Sequence, residues 1–252
     1  MKLLGLFKTC RHKSLYDILP RISRRYGSDV QPEQTVQQES VQIVSDSSLI
    51  EFLESWKKEV EPDLREAVAR DMQVFPNFVS EAEETSLLSE LEPQLKRMRY
   101  EYDHWDNAIQ GYRETERSKW NLQNERTLSR VKLLAFGPGS RAGEPLPHAH
   151  VLDLAAGGHI KPHVDAVRFC GDTIAGVCLL SSAVMRLVHE RNPQLTLDAL
   201  LQRRSLYIMR GVARYQFTHA VLGEAESVWR GKRVHRGRRI AVICRSRPLP
   251  TP

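Results

Sequence analysis

Residues 238–246 read "RRIAVICRS", and the parity of this short run decides the kind of fold to expect. Successive side chains of an extended strand point to opposite faces. Ile240, Val242 and Cys244 therefore make one apolar face, and Arg239, Ala241, Ile243 and Arg245 share the other. Two arginines facing the inside of a β-barrel are costly unless they meet anions. Arginine grips carboxylates with a bidentate fork, so the inward face reads as an anion site.

Working back from this run, the second half of the chain holds six more short β-rich pieces: "HVLDLA", "HIKPHVDAV", "TIAGVCLLS", "VMRLVH", "SLYIMRG" and "RYQFTHAV". Seven short strands separated by turns predict an all-β sandwich or barrel. The first half is different. Ser48 and Glu51 have capping-box spacing, and Leu49, Phe52, Leu53, Trp56, Val60 and Leu64 recur at helical spacing, so residues 47–72 read as a helical segment broken at Pro62. "QVFPNFV" (73–79) is strand-like, Ser80 and Glu83 cap a further helix, and another helix is expected around 121–135. The fold class is α+β with a mainly β core and N-terminal helices packed on it.

The 252 residues are 41% apolar and 27% charged, ordinary for a globular protein. No apolar run approaches the roughly 20 residues that span a bilayer. The four cysteines show neither disulfide-framework nor zinc-ribbon spacing, which suits a reducing compartment. The net charge of +6 is local: residues 1–26 carry seven basic residues against Asp17 alone, leaving thirty of each sign in the rest. That leader is Arg/Lys-rich, acid-poor and able to form an apolar face, the marks of a mitochondrial transit peptide, and the mitochondrial matrix is the expected location. Residues 27–46 are polar and Gln/Ser-rich and read as a flexible linker.

"HIKPHVDAVRFCG" (159–171) supplies the chemistry. On an extended strand His163 and Asp165 point to the same side, two corners of a 2-His-1-carboxylate site. His219, 54 residues beyond Asp165, offers the third corner. H-x-D, a distant His and then R-x5-R resemble the AlkB-homologue family of Fe(II)- and 2-oxoglutarate-dependent dioxygenases over residues 73–248, and with the leader the chain resembles a mitochondrial representative. The resemblance implies a double-stranded β-helix (jelly roll), with His163, Asp165 and His219 as catalytic iron ligands and 2-oxoglutarate and O2 as cosubstrates. It makes Arg239 the partner of the distal carboxylate and sets Arg245 near the iron-chelating end. Many members carry an Asn and a Tyr before H-x-D that touch 2-oxoglutarate. Leu152 and Leu154 stand there, and Tyr207 is the candidate to supply the contact. Among the other histidines, His189 reads as structural, His235 as a turn residue and His159 as lying in a loop.

A nucleic-acid demethylase needs a basic groove and aromatic platforms. Segment 98–150, where a lid would lie, offers Tyr100, Tyr102, Trp105, Tyr112 and Trp120 but is acid-rich, which argues against strong duplex binding. The run Arg230, Lys232, Arg233, Arg236 and Arg238 is the counter-indication. Hydroxylation of a mitochondrial protein substrate by a monomer is expected ahead of oxidative demethylation of mitochondrial RNA. The resemblance also implies a part in programmed necrosis and fatty-acid metabolism.

Overall fold

The computed structural model describes residues 43–102, 108–138, 140 and 143–248. The transit-like leader, most of the linker and Trp105 lie outside the described residues. The elements in chain order are β1 (Ile50–Phe52), α1 (Pro62–Asp71), β2 (Met72–Phe75), α2 (Glu81–Leu95), β3 (Ile109–Arg117) and α3 (Leu122–Phe136). They continue with β4 (Ala149–His163), β5 (Ile174–Leu179), β6 (Ala183–His189), β7 (Thr196–Leu201), β8 (Leu206–Met209) and α4 (Gly211–Tyr215). The last are β9 (Phe217–Val221), β10 (Val228–Trp229), β11 (Lys232–Arg233) and β12 (Arg239–Arg245).

All paired strands are antiparallel, and the main path runs β1-β7-β6-β9-β4-β12-β5-β8-β2. The 15-residue β4 is the joint. Its first half, His150–Leu154, pairs β12, while Ile160 and His163 pair β9, so one long strand belongs to both sheets. β3 lines its other edge along both halves. The result is the two-sheeted jelly roll expected, with β2-β8-β5-β12-β4 as one layer and β4-β9-β6-β7-β1 as the other.

The alternation of β12 is realised in packing. Ile240, Val242 and Cys244 join a buried cluster with Leu87, Leu91 and Leu95 of α2 and Leu128 and Val131 of α3, so both helices cover the outer face of the first sheet. Ala241 and Ile243 belong instead to the core between the sheets. Each helix starts on its own signal. Ser80 and Glu83 form a complete capping box on α2, and the Asn121 side chain caps α3.

A buried ion cluster ties β3, β4 and the start of β12 to α2. Asp153, fully buried, accepts from Arg113 Nε at 2.7 Å and from Arg238 Nη2 at 2.7 Å. Tyr100 adds its hydroxyl at 3.3 Å, and Arg238 reaches on to Glu92 at 2.6 Å.

Three local expectations are corrected. Only the second part of the 47–72 helical segment is an α-helix: α1 starts at Pro62, where a missing N–H costs nothing. Before it, Asp46 caps a single 3-10 turn and Ile50–Phe52 is an edge strand on β7, because pairing with Leu197–Ala199 outweighs the helical spacing. His159 lies within β4, paired with Gln110, and not in a loop. The strand survives Pro162 because the β4–β9 ladder is irregular between Ile160 and His163, where a residue without an N–H is tolerated. Segment 98–150 holds β3 and α3, so much of it is framework.

Candidate active site

The β4–β9 register sets His163 directly opposite His219, with ring centroids 4.3 Å apart. Asp165 follows two residues past the end of β4, and its Oδ1 lies 3.5 Å from His163 Nε2. One ligand atom from each of the three lies within 4.8 Å of the others, the spacing a single metal ion requires. Protonation suits the task. Burial alone would raise Asp165, but the His163 contact and the charges of Arg245 and the histidines hold its carboxyl well below the usual range. Burial, reinforced by His163, pushes His219 down to about 3. An ionised carboxylate and a neutral imidazole are the forms that bind metal. His163 Nδ1 sits 2.9 Å from the Lys161 carbonyl, which can only accept, so Nδ1 carries a proton and Nε2 is the nitrogen turned to Asp165 and available to a metal.

These groups line a cavity of about 620 Å³ between the sheets. Arg239 enters it from β12. Its side chain is 2% exposed, Nη2 reaches the Cys178 sulfur at 3.3 Å and Nε has no partner. Among the described residues no carboxylate forms an ion pair with it. Tyr207 of β8 lines the same cavity, buried, with its hydroxyl pKa raised by that burial. Its ring lies against Gly176 on β5, where an added Cβ would clash with the ring carbons. The glycine is what lets the tyrosine lie flat on the sheet.

Arg245 behaves differently from Arg239. Its Nε donates to Asp165 Oδ2 at 3.2 Å, and its Nη1 donates to His150 Nδ1 at 2.8 Å. His150 Nε2 in turn sits 2.8 Å from Glu114 Oε2 on β3. Neither His150 nor Glu114 was singled out by the sequence reading. Parity carried a signal for His150, which stands an even step before Leu152 on β4. Glu114 is brought in by β3, a strand that reading did not anticipate.

Other expected residues fall away from the cavity. His189 Nδ1 accepts from the Arg191 and Asn192 backbone and its ring packs on Phe217, a structural role. His235 is exposed. Leu152 faces the cavity, while Leu154 is core. Much of the basic run is committed internally: Arg238 to Asp153 and Glu92, the buried Arg236 to the Leu222 and Gly158 carbonyls, and the Arg230 guanidinium to the Ser48 carbonyl. Tyr100 and Trp120 are covered by the Arg113 and Arg117 guanidinium groups.

Two curated relatives, from Bos taurus and Mus musculus, share 56% identity with this chain over 175 residues, covering 69% of it and 78% of each relative. Both are named alpha-ketoglutarate-dependent dioxygenase alkB homolog 7, mitochondrial. The chain belongs to the AlkB-homologue family. No family model matches it. A prolyl-4-hydroxylase from Pseudomonas putida superposes with a TM-score of 0.51 at 11% identity, covering 75% of this chain and all of the other, a likeness of fold alone. In this AlkB homologue the donor set fits both groups that the family name implies. Two imidazoles and a carboxylate suit Fe(II), and the buried Arg239, lacking an anion, suits a dicarboxylate.

Proposed function

We propose that this AlkB homologue is a mitochondrial Fe(II)- and 2-oxoglutarate-dependent dioxygenase that hydroxylates a protein side chain. The observation that carries the reading is the buried Arg239 guanidinium, with no carboxylate partner among the described residues, in the cavity that holds the His163–Asp165–His219 cluster. A buried unpaired charge is strongly destabilising, and a bound carboxylate removes that cost. His163, Asp165 and His219 hold the iron, and Arg239 grips the distal carboxylate of 2-oxoglutarate. Tyr207 offers it a neutral hydroxyl, and Arg245 lies at the metal end. Bound Fe(II) with 2-oxoglutarate supplies oxidation of a C–H bond by O2, releasing succinate and CO2. The Lys161 carbonyl orients His163, and Leu152, Ile160, Met185, Val221 and Ile243 give the cavity an apolar wall.

A protein substrate is supported over RNA by two observations. Glu114, Thr115 and Glu116 of β3 line the cavity where a nucleic-acid enzyme would present cations. Arg236 and Arg238 of the basic run already bond to this chain's own carbonyls and carboxylates, which leaves Lys232 and Arg233 as its exposed cations beside Arg230. The regulatory part in programmed necrosis and fatty-acid metabolism and the monomeric state are proposed on the family resemblance. Location in the matrix is proposed on the leader and on the relatives' names.

The test is substrate trapping from mitochondrial matrix extract with the Asp165→Ala variant, followed by identification of what co-purifies. This variant is expected to lose bound iron and succinate production, and unchanged turnover would reject the triad. Crosslinked RNA in place of protein would reverse the substrate assignment.

A further inference from the structure

An arginine next to a carboxylate ordinarily closes on it as a fork, taking both oxygens through two parallel N–H bonds. Arg245 and Asp165 do not do this. The guanidinium gives Asp165 one bond, from Nε to Oδ2 at 3.2 Å, while Nη1 is held 2.8 Å from His150 Nδ1. The other carboxylate oxygen, Oδ1, turns to His163. His150 can accept on Nδ1 only if its proton is on Nε2, and Nε2 lies 2.8 Å from Glu114 Oε2, which accepts the hydrogen bond from that N–H. The carboxylate of Glu114 thus selects the tautomer that captures one arm of Arg245.

We propose that Glu114 and His150 are positioning residues that hold Arg245 back from a bidentate grip on Asp165, leaving one Asp165 oxygen to the metal. This rests on the reading of His163, Asp165 and His219 as metal ligands. The three groups that set the arrangement lie on three neighbouring strands, Glu114 on β3, His150 on β4 and Arg245 on β12. Strand register therefore spaces them. Leu152, the next residue of β4 on the cavity side, has no polar atom to take over the task.

The experiment is anaerobic titration of the apo protein with Fe(II), or with Co(II) read by its visible absorption, in the absence of 2-oxoglutarate. One hydrogen bond to a charged group is worth about a factor of ten in binding. His150→Leu and Glu114→Leu, which leave no acceptor for Arg245 Nη1 and for His150 Nε2 respectively, are therefore expected to weaken metal affinity about tenfold. His150→Asn keeps an oxygen where Nδ1 stood and is expected to stay near wild type. In an Arg245→Leu background there is no fork to restrain, and adding His150→Leu is expected to change nothing further. A merely structural His150 would lower affinity equally in both backgrounds, and that result overturns the proposal. So does an unaltered affinity in both His150→Leu and Glu114→Leu. If His150→Leu does not fold, the Glu114→Leu and His150→Asn pair carries the comparison. Asp165→Ala separates the two levels: metal binding that survives it rejects the ligand reading itself, whereas its loss beside a normal Glu114→Leu variant rejects the restraint alone.

Discussion

Asp153→Leu should be among the most damaging single changes outside the cavity, and its cost can be worked from the contacts. The carboxylate is fully buried and neutralises two guanidinium groups. Their situations differ once it is gone. The Arg238 side chain is 29% exposed and keeps Glu92 at 2.6 Å, so it retains a partner. The Arg113 side chain is 9% exposed and keeps only its Nη1 bond to the Met98 carbonyl and the Tyr100 ring beneath it, neither of which cancels its charge. Removing one partner of a buried ion pair costs about 3–5 kcal/mol, chiefly through the charge left behind. For a domain of this size that corresponds to about 6–20 °C in melting temperature. The assay is urea and thermal unfolding of Asp153→Leu, Arg113→Met and the double variant. The double variant should recover most of the loss, because it removes the stranded charge along with its partner. A single-variant cost below about 1 kcal/mol, or a double variant no better than the sum of the two, would refute the stranded-charge argument.

Gly176→Ala places a Cβ on the Tyr207 ring; it should cost about 1–3 kcal/mol in urea unfolding by overpacking and shift the Tyr207 hydroxyl in the cavity. Full stability with unchanged 2-oxoglutarate dependence would mean that the ring moves away freely. Arg239→Met should raise the 2-oxoglutarate concentration for half-maximal succinate formation by about tenfold or more, a charged hydrogen bond being at stake, while metal binding in the absence of 2-oxoglutarate persists. Burial would raise Glu83, but Arg130 and the Ser80 cap outweigh it and hold its folded pKa below the ordinary 4.5. Its stabilisation is therefore present above pH 4.5 and lost as pH falls through the lowered value, so Glu83→Gln should flatten that part of the acid-unfolding profile.

What could be read from the sequence divides by range. β12 was legible because its two faces differ in kind, and both destinations, cavity and helices, follow from parity. The capping box of Ser80 and Glu83 is local chemistry and behaves as local chemistry does. β1 was not legible, because three residues inside a stretch of helical spacing become a strand only through a partner some 150 positions away. β3 was hidden by its polar residues, which find buried or paired partners on β4. For the same reason the site was half visible: H-x-D announces itself, whereas the contact of Glu114 with His150 exists only across a strand register.

Because β4 belongs to both sheets, the order in which the chain becomes available matters. Its partner β9 lies at residues 217–221 and its partner β12 at 239–245. A chain emerging from a ribosome or threaded through a membrane pore presents residues 149–163 long before either partner arrives. The first half of β4 must wait with one edge unpaired until β12 follows, later still than β9. The strand that joins β4 to β5 also brings Arg239 and Arg245, so the middle of the first sheet and the arginine wall of the cavity form together.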